Sequence, residues 1–342
     1  MVRRSGVTLL EVLVAIFVMG IGFLALLTLF PLGALRMAKA IQDDSCSQLG
    51  ANARSIAVFK GITLDGSVTG SYATPGGLLG APPVHPDYPS YPVFVDPIGS
   101  IASGALPGAG NLCAGLSLVG RTSVSFVATP QDALQWFTRQ DDILFENALP
   151  GAGNGPPGLP QLLLPPPPAN FTRDTRFSYA LQVQRSRSSD AMVADVTVIV
   201  YNKRSVTPTP GNISLPEYIY NGTIFDTNRN AIIITYGAGG TPPPPVSIGD
   251  WVMDNTFVPI PNAQNPTFGF AHGGWYRIVG IADLGNNQVE FEVENPIRGF
   301  PLGNATNNPN PPIPGNVNSW LGSAIILDGV AEVYTVGTVR LP

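Results

Sequence analysis

Between Gly6 and Arg36 this chain carries a single charged side chain, Glu11. The segment VTLLEVLVAIFVMGIGFLALLTLF that holds it is otherwise almost wholly apolar. As a helix, a run of roughly 20 apolar residues is enough to cross a bilayer, and residues 7–30 supply that length. The run limits the architecture to a body attached to a long apolar N-terminal helix. Inside such a helix a carboxylate is expensive, roughly 2.5–3.5 kcal/mol near the membrane centre and less near an interface. Glu11 is therefore expected to have a partner and a role. Two plainer explanations fit less well. A cleaved secretory signal has an apolar core of roughly 7–15 residues and a small-residue cleavage site; Ala38-Lys39-Ala40 imitates that site, but Arg36 and Lys39 spoil its approach. A plain signal anchor accounts for the length and has no need of Glu11 at that depth.

Ahead of the run, Arg3 and Arg4 stand in a short basic leader that ends at Gly6. Leader, glycine junction, apolar stretch and a glutamate five residues past the glycine, taken in this register, resemble the type IV prepilin signal. The resemblance implies cleavage between Gly6 and Val7, N-methylation of the new Val7 amine, and an assembly role for Glu11. Val7 departs from the phenylalanine or methionine usual at the first mature position, and Pro31 falls a little later than the helix-kinking proline of many pilins. Both departures suit minor pilins and secretion pseudopilins better than a major fibre subunit. The resemblance covers about the first 35 residues.

What it implies is a long N-terminal transmembrane helix packed on an antiparallel sheet; with the C-terminal mainly-β module that the later β runs add, the expected fold class is α+β. The implied partners are a prepilin peptidase, other pilins or pseudopilins, and the inner membrane, crossed once with the bulk outside the cytoplasm before entry into a fibre or pseudopilus. The charge bias of Arg3 and Arg4 over Arg36 and Lys39 supports that orientation only weakly. The rival reading is a membrane-anchored extracytoplasmic adhesive or ligand-binding protein that uses the helix as an anchor alone.

Past the anchor, the stretch ALRMAKAIQDDSCSQLGANARSIAVFKG has helical spacing. Leu35, Ala38, Ile41, Leu49, Ala53, Ile56 and Ala57 make an apolar stripe, and Gly61 is a good stop. One helix over residues 7–60 would be about 80 Å long, bent near Gly20 to Pro31, with the kink expected first at Pro31, where a proline removes a hydrogen bond. The expected domains are a leader at 1–6, the apolar helix half at 7–35, a pilin-like α+β domain at 36–205 and the β module at 206–342. Its last strand is a candidate to return to the first sheet. Strands are expected at YPVFVD, TSVSFVA (residues 122–128) and DILFE (142–146). The strongest hairpin pairs RFSYALQVQR with ADVTVIVYNK, whose two-sided apolarity suits a buried central strand. Pro165 to Pro168 read as a stiff surface loop, with a docking ligand as the alternative. Short β runs separated by turns, among them Gly285-Asn286-Asn287, then point to a barrel or sandwich.

Charged residues are only 12% of the chain and the net charge is −5, which argues against a nucleic-acid surface. The best basic cluster, Arg185, Arg187, Lys203 and Arg204, reads as solvated strand ends. No Walker loop, nucleophile elbow or dinucleotide fingerprint occurs, and His85, His272, Cys46 and Cys113 lack zinc spacing. We therefore expect no enzyme activity, no cofactor and no metal centre. Asp141, Asp142 and Glu146 lie together, as do Asp250 and Asp254; solvated strand ends explain these carboxylates, with calcium as the alternative. Trp136, Trp251, Trp275 and Trp320 are expected in packing, a carbohydrate-binding patch being the alternative. A disulfide between Cys46 and Cys113 is a candidate that an extracytoplasmic setting permits; two buried thiols are the other outcome.

Overall fold

The computed structural model describes residues 9–72, 84–102, 110–115, 117–128, 130–139, 177–202, 204, 217–237, 241–260, 268–298 and 319–340. It divides into two compact units, Met1–Gln48 and Leu49–Pro342. Helix α1, Leu9–Phe59, runs unbroken for 51 residues with Pro31 inside it. Its N-terminal half exposes large apolar side chains on every face, from Leu9 at 82% through Ile16, Phe17, Leu24 and Leu27 to Phe30 at 80%. Among the described residues no helix is long and apolar enough to cross a membrane. The span expected over residues 7–30 begins at Val7, outside the described residues, and is not shown.

In the second unit the last turns of α1 bury Leu49, Ala53 and Ala57, at the steps of four that place side chains on one helix face. Gly61, with φ 59°, stops the helix. The main sheet has the order β14-β5-β4-β1-β3-β2. Its strands are β1 (Val93–Val95), β2 (Gly110–Asn111), β3 (Gly120–Thr122), β4 (Phe177–Gln184), β5 (Val193–Asn202) and β14 (Val330–Arg340). All pairings are antiparallel except β1 with β3. Strands β4 and β5 pair from Phe177↔Asn202 to Gln184↔Asp195. The segment expected as a strand over residues 122–128 leaves the sheet after Thr122, because Ser125 gives its backbone N–H (2.9 Å) and its hydroxyl to the Asp65 carboxylate. Residues 142–146, 165–168 and 206–211 lie outside the described residues.

Strand β5 is apolar on both faces because both are covered. On one side lies α1: a Cβ on Gly50 would fall 2.7 Å from Cδ2 of Tyr334 on β14, so only glycine lets that ring lie against the helix. On the other side Ile199 and Tyr201 join Phe94, Ala180 and Val333 in a core shared with Trp251, Met253, Ile325 and Leu327. Those last four belong to an inserted barrel. It is built from β6 (Glu217–Asp226), β7 (Ala231–Thr235), β8 (Trp251–Asp254), β11 (Trp275–Gly285), β12 (Gln288–Val293) and β13 (Ser319–Leu327), closed in the order β11-β12-β7-β6-β13-β8. A small hairpin of β9 (Phe257–Pro259) and β10 (Gly269–Ala271) stands beside it. The chain thus leaves the main sheet after β5, builds the barrel and returns as β14, which pairs with β5 along nearly its whole length.

Alternation decides the barrel's two surfaces. Trp251, Met253, Ile325 and Leu327 face the sheet, whereas Val252, Ala324 and Ile326 face inward with Tyr220, Phe225, Phe291 and Trp320. Phe225 and Trp320 stack at 5.9 Å and 13°, so the interior is a packed core. Closure needs local bends. One is Gly222, an extra residue on β6 opposite the Gly322/Ser323 register shift, held at φ 73°. Asn286 and Asn287, at φ 52° and 60°, close the β11–β12 hairpin, as two-residue turns of that twist require.

Candidate functional site

Gly6 and Val7 lie outside the described residues. Glu11 lies near the N-terminal end of the described part of α1. Val12, Ala15, Ile16 and Met19 line the surface next to it. This helix face carries one acid at its N-terminal end and apolar side chains below it. Water is a poor cover for such a surface; lipid or other apolar helices are good ones.

A second constellation lies at the root of the barrel, and it was not foreseen from the sequence. Arg204, just past β5, donates from Nη1 and Nη2 to both oxygens of Asp96, at 2.7 and 2.6 Å. Asp96 follows β1, accepts the Gly99 N–H at 3.0 Å and lies 3.4 Å from Nε of Arg121 on β3. Arg121 donates from Nη2 to Oε1 of Glu217, the first residue of β6. The other oxygen of Glu217 accepts the Cys113 N–H at 3.1 Å. Arg204 also lies 4.3 Å over the Tyr201 ring. The Asp96 side chain is 0% exposed, and those of Arg121 and Arg204 6% and 4%. Two cations and two anions therefore alternate in a nearly dry chain that ties the sheet to the barrel.

The electrostatics follow from that alternation. Burial alone would push the Asp96 carboxyl up; Arg204, and then Arg121, reverse this and hold it at about 2. Burial would push both guanidiniums down, but Asp96 holds Arg204 up, and Glu217 with Asp96 holds Arg121 up. Arg204 was expected as a solvated strand end. The correction has a plain cause: with a bidentate carboxylate and an aromatic face to receive it, a guanidinium can be buried. Arg185 is likewise packed, 4.2 Å over the Tyr72 ring.

The other candidates resolve into structural roles. Asp254 is fully buried, contrary to expectation, because Oδ1 accepts the Thr256 N–H at 2.9 Å and Oδ2 lies 2.6 Å from His272 Nδ1. This pair ties the end of β8 to the chain after β10. Asp250 accepts the Ser247 N–H at 2.7 Å. Asp141, Asp142 and Glu146 lie outside the described residues. Among the described residues no group of three or more His, Cys, Asp or Glu is placed to hold a metal. Cys113 is a buried free thiol. Burial first, and then Glu217, push its pKa up to about 12, which keeps it protonated and a poor nucleophile.

The tryptophans are occupied too. Trp251 and Trp320 are buried. Trp275 donates to Gln182 Oε1 at 2.7 Å, and Lys60 Nζ lies 4.3 Å over Trp136. Gln182 and Gln184 in turn donate to the carbonyls of Gly273 and Ala271, at 2.7 and 3.0 Å. These amides form a second seam between sheet and barrel.

With this geometry in hand, the match to known families falls on the N-terminus. Residues 1–27 match the prokaryotic N-terminal methylation motif. The chain is accordingly a type IV prepilin-like protein, and its motif is that of a prepilin-type processing substrate at the level of the pilin and pseudopilin family. Comparison with curated proteins and with solved structures gives no match.

Proposed function

We propose that this protein is a structural, non-enzymatic subunit, a minor pilin of a type IV pilus or a pseudopilin of a type II secretion system. The observation that carries the reading is the methylation motif over residues 1–27, continued by a helix whose N-terminal half exposes apolar side chains all round. In this reading prepilin peptidase cuts between Gly6 and Val7, and the Val7 amine is methylated. Before assembly, the apolar run from Val7 holds the chain in the inner membrane with the sheet and barrel outside the cytoplasm. The support for that anchor is the sequence run over residues 7–30 with its single charge.

Assembly follows from the same residues. Removed into a bundle of apolar helices, the Glu11 carboxylate of one subunit would meet the Val7 amine of its neighbour. Opposite charges strengthen each other as the dielectric falls, and a register that leaves either unpaired is heavily penalised. The pair therefore selects one stagger between helices. Mass spectrometry of the membrane-extracted protein tests the reading: the expected N-terminus is an N-methylated Val7, and Gly6→Val should retain the leader. A wild-type chain that keeps Met1 or Val2 would overturn the subunit reading in favour of an anchored adhesive or ligand-binding protein.

A further inference from the structure

Beyond the subunit role, the barrel displays a segment whose chemistry fits a partner. Residues 242–245 are four consecutive prolines. Each ring locks φ near −65°, and each proline also forces the residue before it into extended geometry. Pro242, Pro243 and Pro244 are therefore committed to the polyproline II helix by covalent structure alone. That helix has three residues per turn, and the burial pattern keeps this period. Thr241 and Pro244 are half-buried on one edge, while Pro242 and Pro245 are exposed together on another, with Pro243 exposed beside them.

Both ends of the strip are fastened to the barrel. Gly237 donates its N–H to the Thr241 carbonyl at 2.8 Å, and Tyr220 donates its hydroxyl to the Pro242 carbonyl at 3.2 Å. At the other end the Val246 side chain packs on the barrel core, and its N–H closes a one-residue turn about Pro245 onto the Pro244 carbonyl at 3.0 Å, which ends the strip. A segment already held in its binding conformation gives up little entropy when it docks.

We propose that residues 242–245 are a docking ligand for an aromatic-lined groove on a different protein, with Pro242 and Pro245 as the two rings it grips. Polyproline segments are recognised by such grooves through the packing of their rings against aromatic walls. The flanking sequence narrows the class. Residues 230–249 carry no charged side chain, so a groove that relies on a basic anchor beside the prolines has nothing to hold here. The partner reads rings alone, through tyrosine or tryptophan walls.

Two measurements test this. In the first, the full-length chain in detergent micelles is titrated with an isolated WW domain, which supplies two aromatic walls and needs no charge. Saturable binding is expected. The double variant P242A/P245A should weaken it about tenfold or more, about 1.4 kcal/mol per decade, while Pro244→Ala, on the barrel edge, weakens it far less. Unchanged melting and far-UV circular dichroism would show that each variant is folded. In the second, a photo-crosslinking amino acid replaces exposed Ser247 in living cells. The expected adduct lies on another protein, at a segment containing tyrosine or tryptophan, and disappears in the P242A/P245A background. Equal WW binding by wild type and double variant, an adduct on a second copy of this chain, an adduct that survives the double substitution, or no adduct at all would each overturn the proposal.

Discussion

Replacing Asp96 by asparagine should cost this protein a large share of its stability. The substitution keeps the shape and removes the one anion that faces both Arg204 and Arg121. Two routes bracket the size of the effect. Asp96 titrates at about 2 against an ordinary 3.8, and at about 1.36 kcal/mol per unit that is roughly 2 kcal/mol for neutralising the carboxyl alone. Removing one partner of a buried pair costs about 3–5 kcal/mol, because the opposite charge stays behind without water or counter-ion. An amide is worse than a protonated acid, since its NH2 turns a donor toward one of the guanidiniums. We therefore expect a loss of about 2–5 kcal/mol, against a total of about 5–15 kcal/mol for an ordinary domain. Urea unfolding of the full chain in detergent, followed by tryptophan fluorescence, measures it; Trp251 reports directly, because it sits in the core between sheet and barrel. The midpoint should fall with an unchanged slope. A companion variant that also converts Arg204 to methionine should recover part of the loss, since Arg121 stays paired with Glu217 and no charge is left orphaned. A loss below about 1 kcal/mol for Asp96→Asn would refute the dry, alternating chain as described.

The remaining predictions are shorter. Because the folded value of Asp96 is depressed, its contribution of roughly 2 kcal/mol is complete above about pH 4 and is lost as pH falls through about 2; urea midpoints over pH 5 to 2 should show a drop that Asp96→Asn lacks. Gly99→Ala should destabilise by about 1–3 kcal/mol, read as a lowered melting temperature, because its methyl group would run into the Asp96 carboxylate and fall 2.8 Å from Arg204 Nη2. Glu11→Ala should leave cleavage after Gly6 intact and yet cut incorporation into a fibre or pseudopilus more than about a hundredfold, the equivalent of about 3–5 kcal/mol for an unpaired buried charge. Co-purification of that variant with fibre components at wild-type levels would count against the Glu11–Val7 pairing.

What the sequence determined by itself is everything written in contiguous residues. The methylation motif over residues 1–27 is a linear signal, legible without a fold. The long helix follows from apolar spacing, its stop from Gly61, and the β4–β5 and β11–β12 hairpins from alternation bounded by turn residues. Even the two covered faces of β5 are legible, since valines fill one face and Ile199 and Tyr201 the other. Periodicity reports which side of an element is buried and is silent about what buries it. Only the tertiary structure decided that β7 lies beside β12 and closes a barrel, that Asp65 draws Ser125 out of a strand, and that Arg204 and Asp254 are inside. Each of those outcomes depends on a partner far along the chain: Arg204 meets Asp96 across 108 positions, and Arg121 meets Glu217 across 96. A charged side chain looks solvated in any local window, because water is the cheapest partner such a window offers; burial becomes affordable only where folding delivers the opposite charge in register.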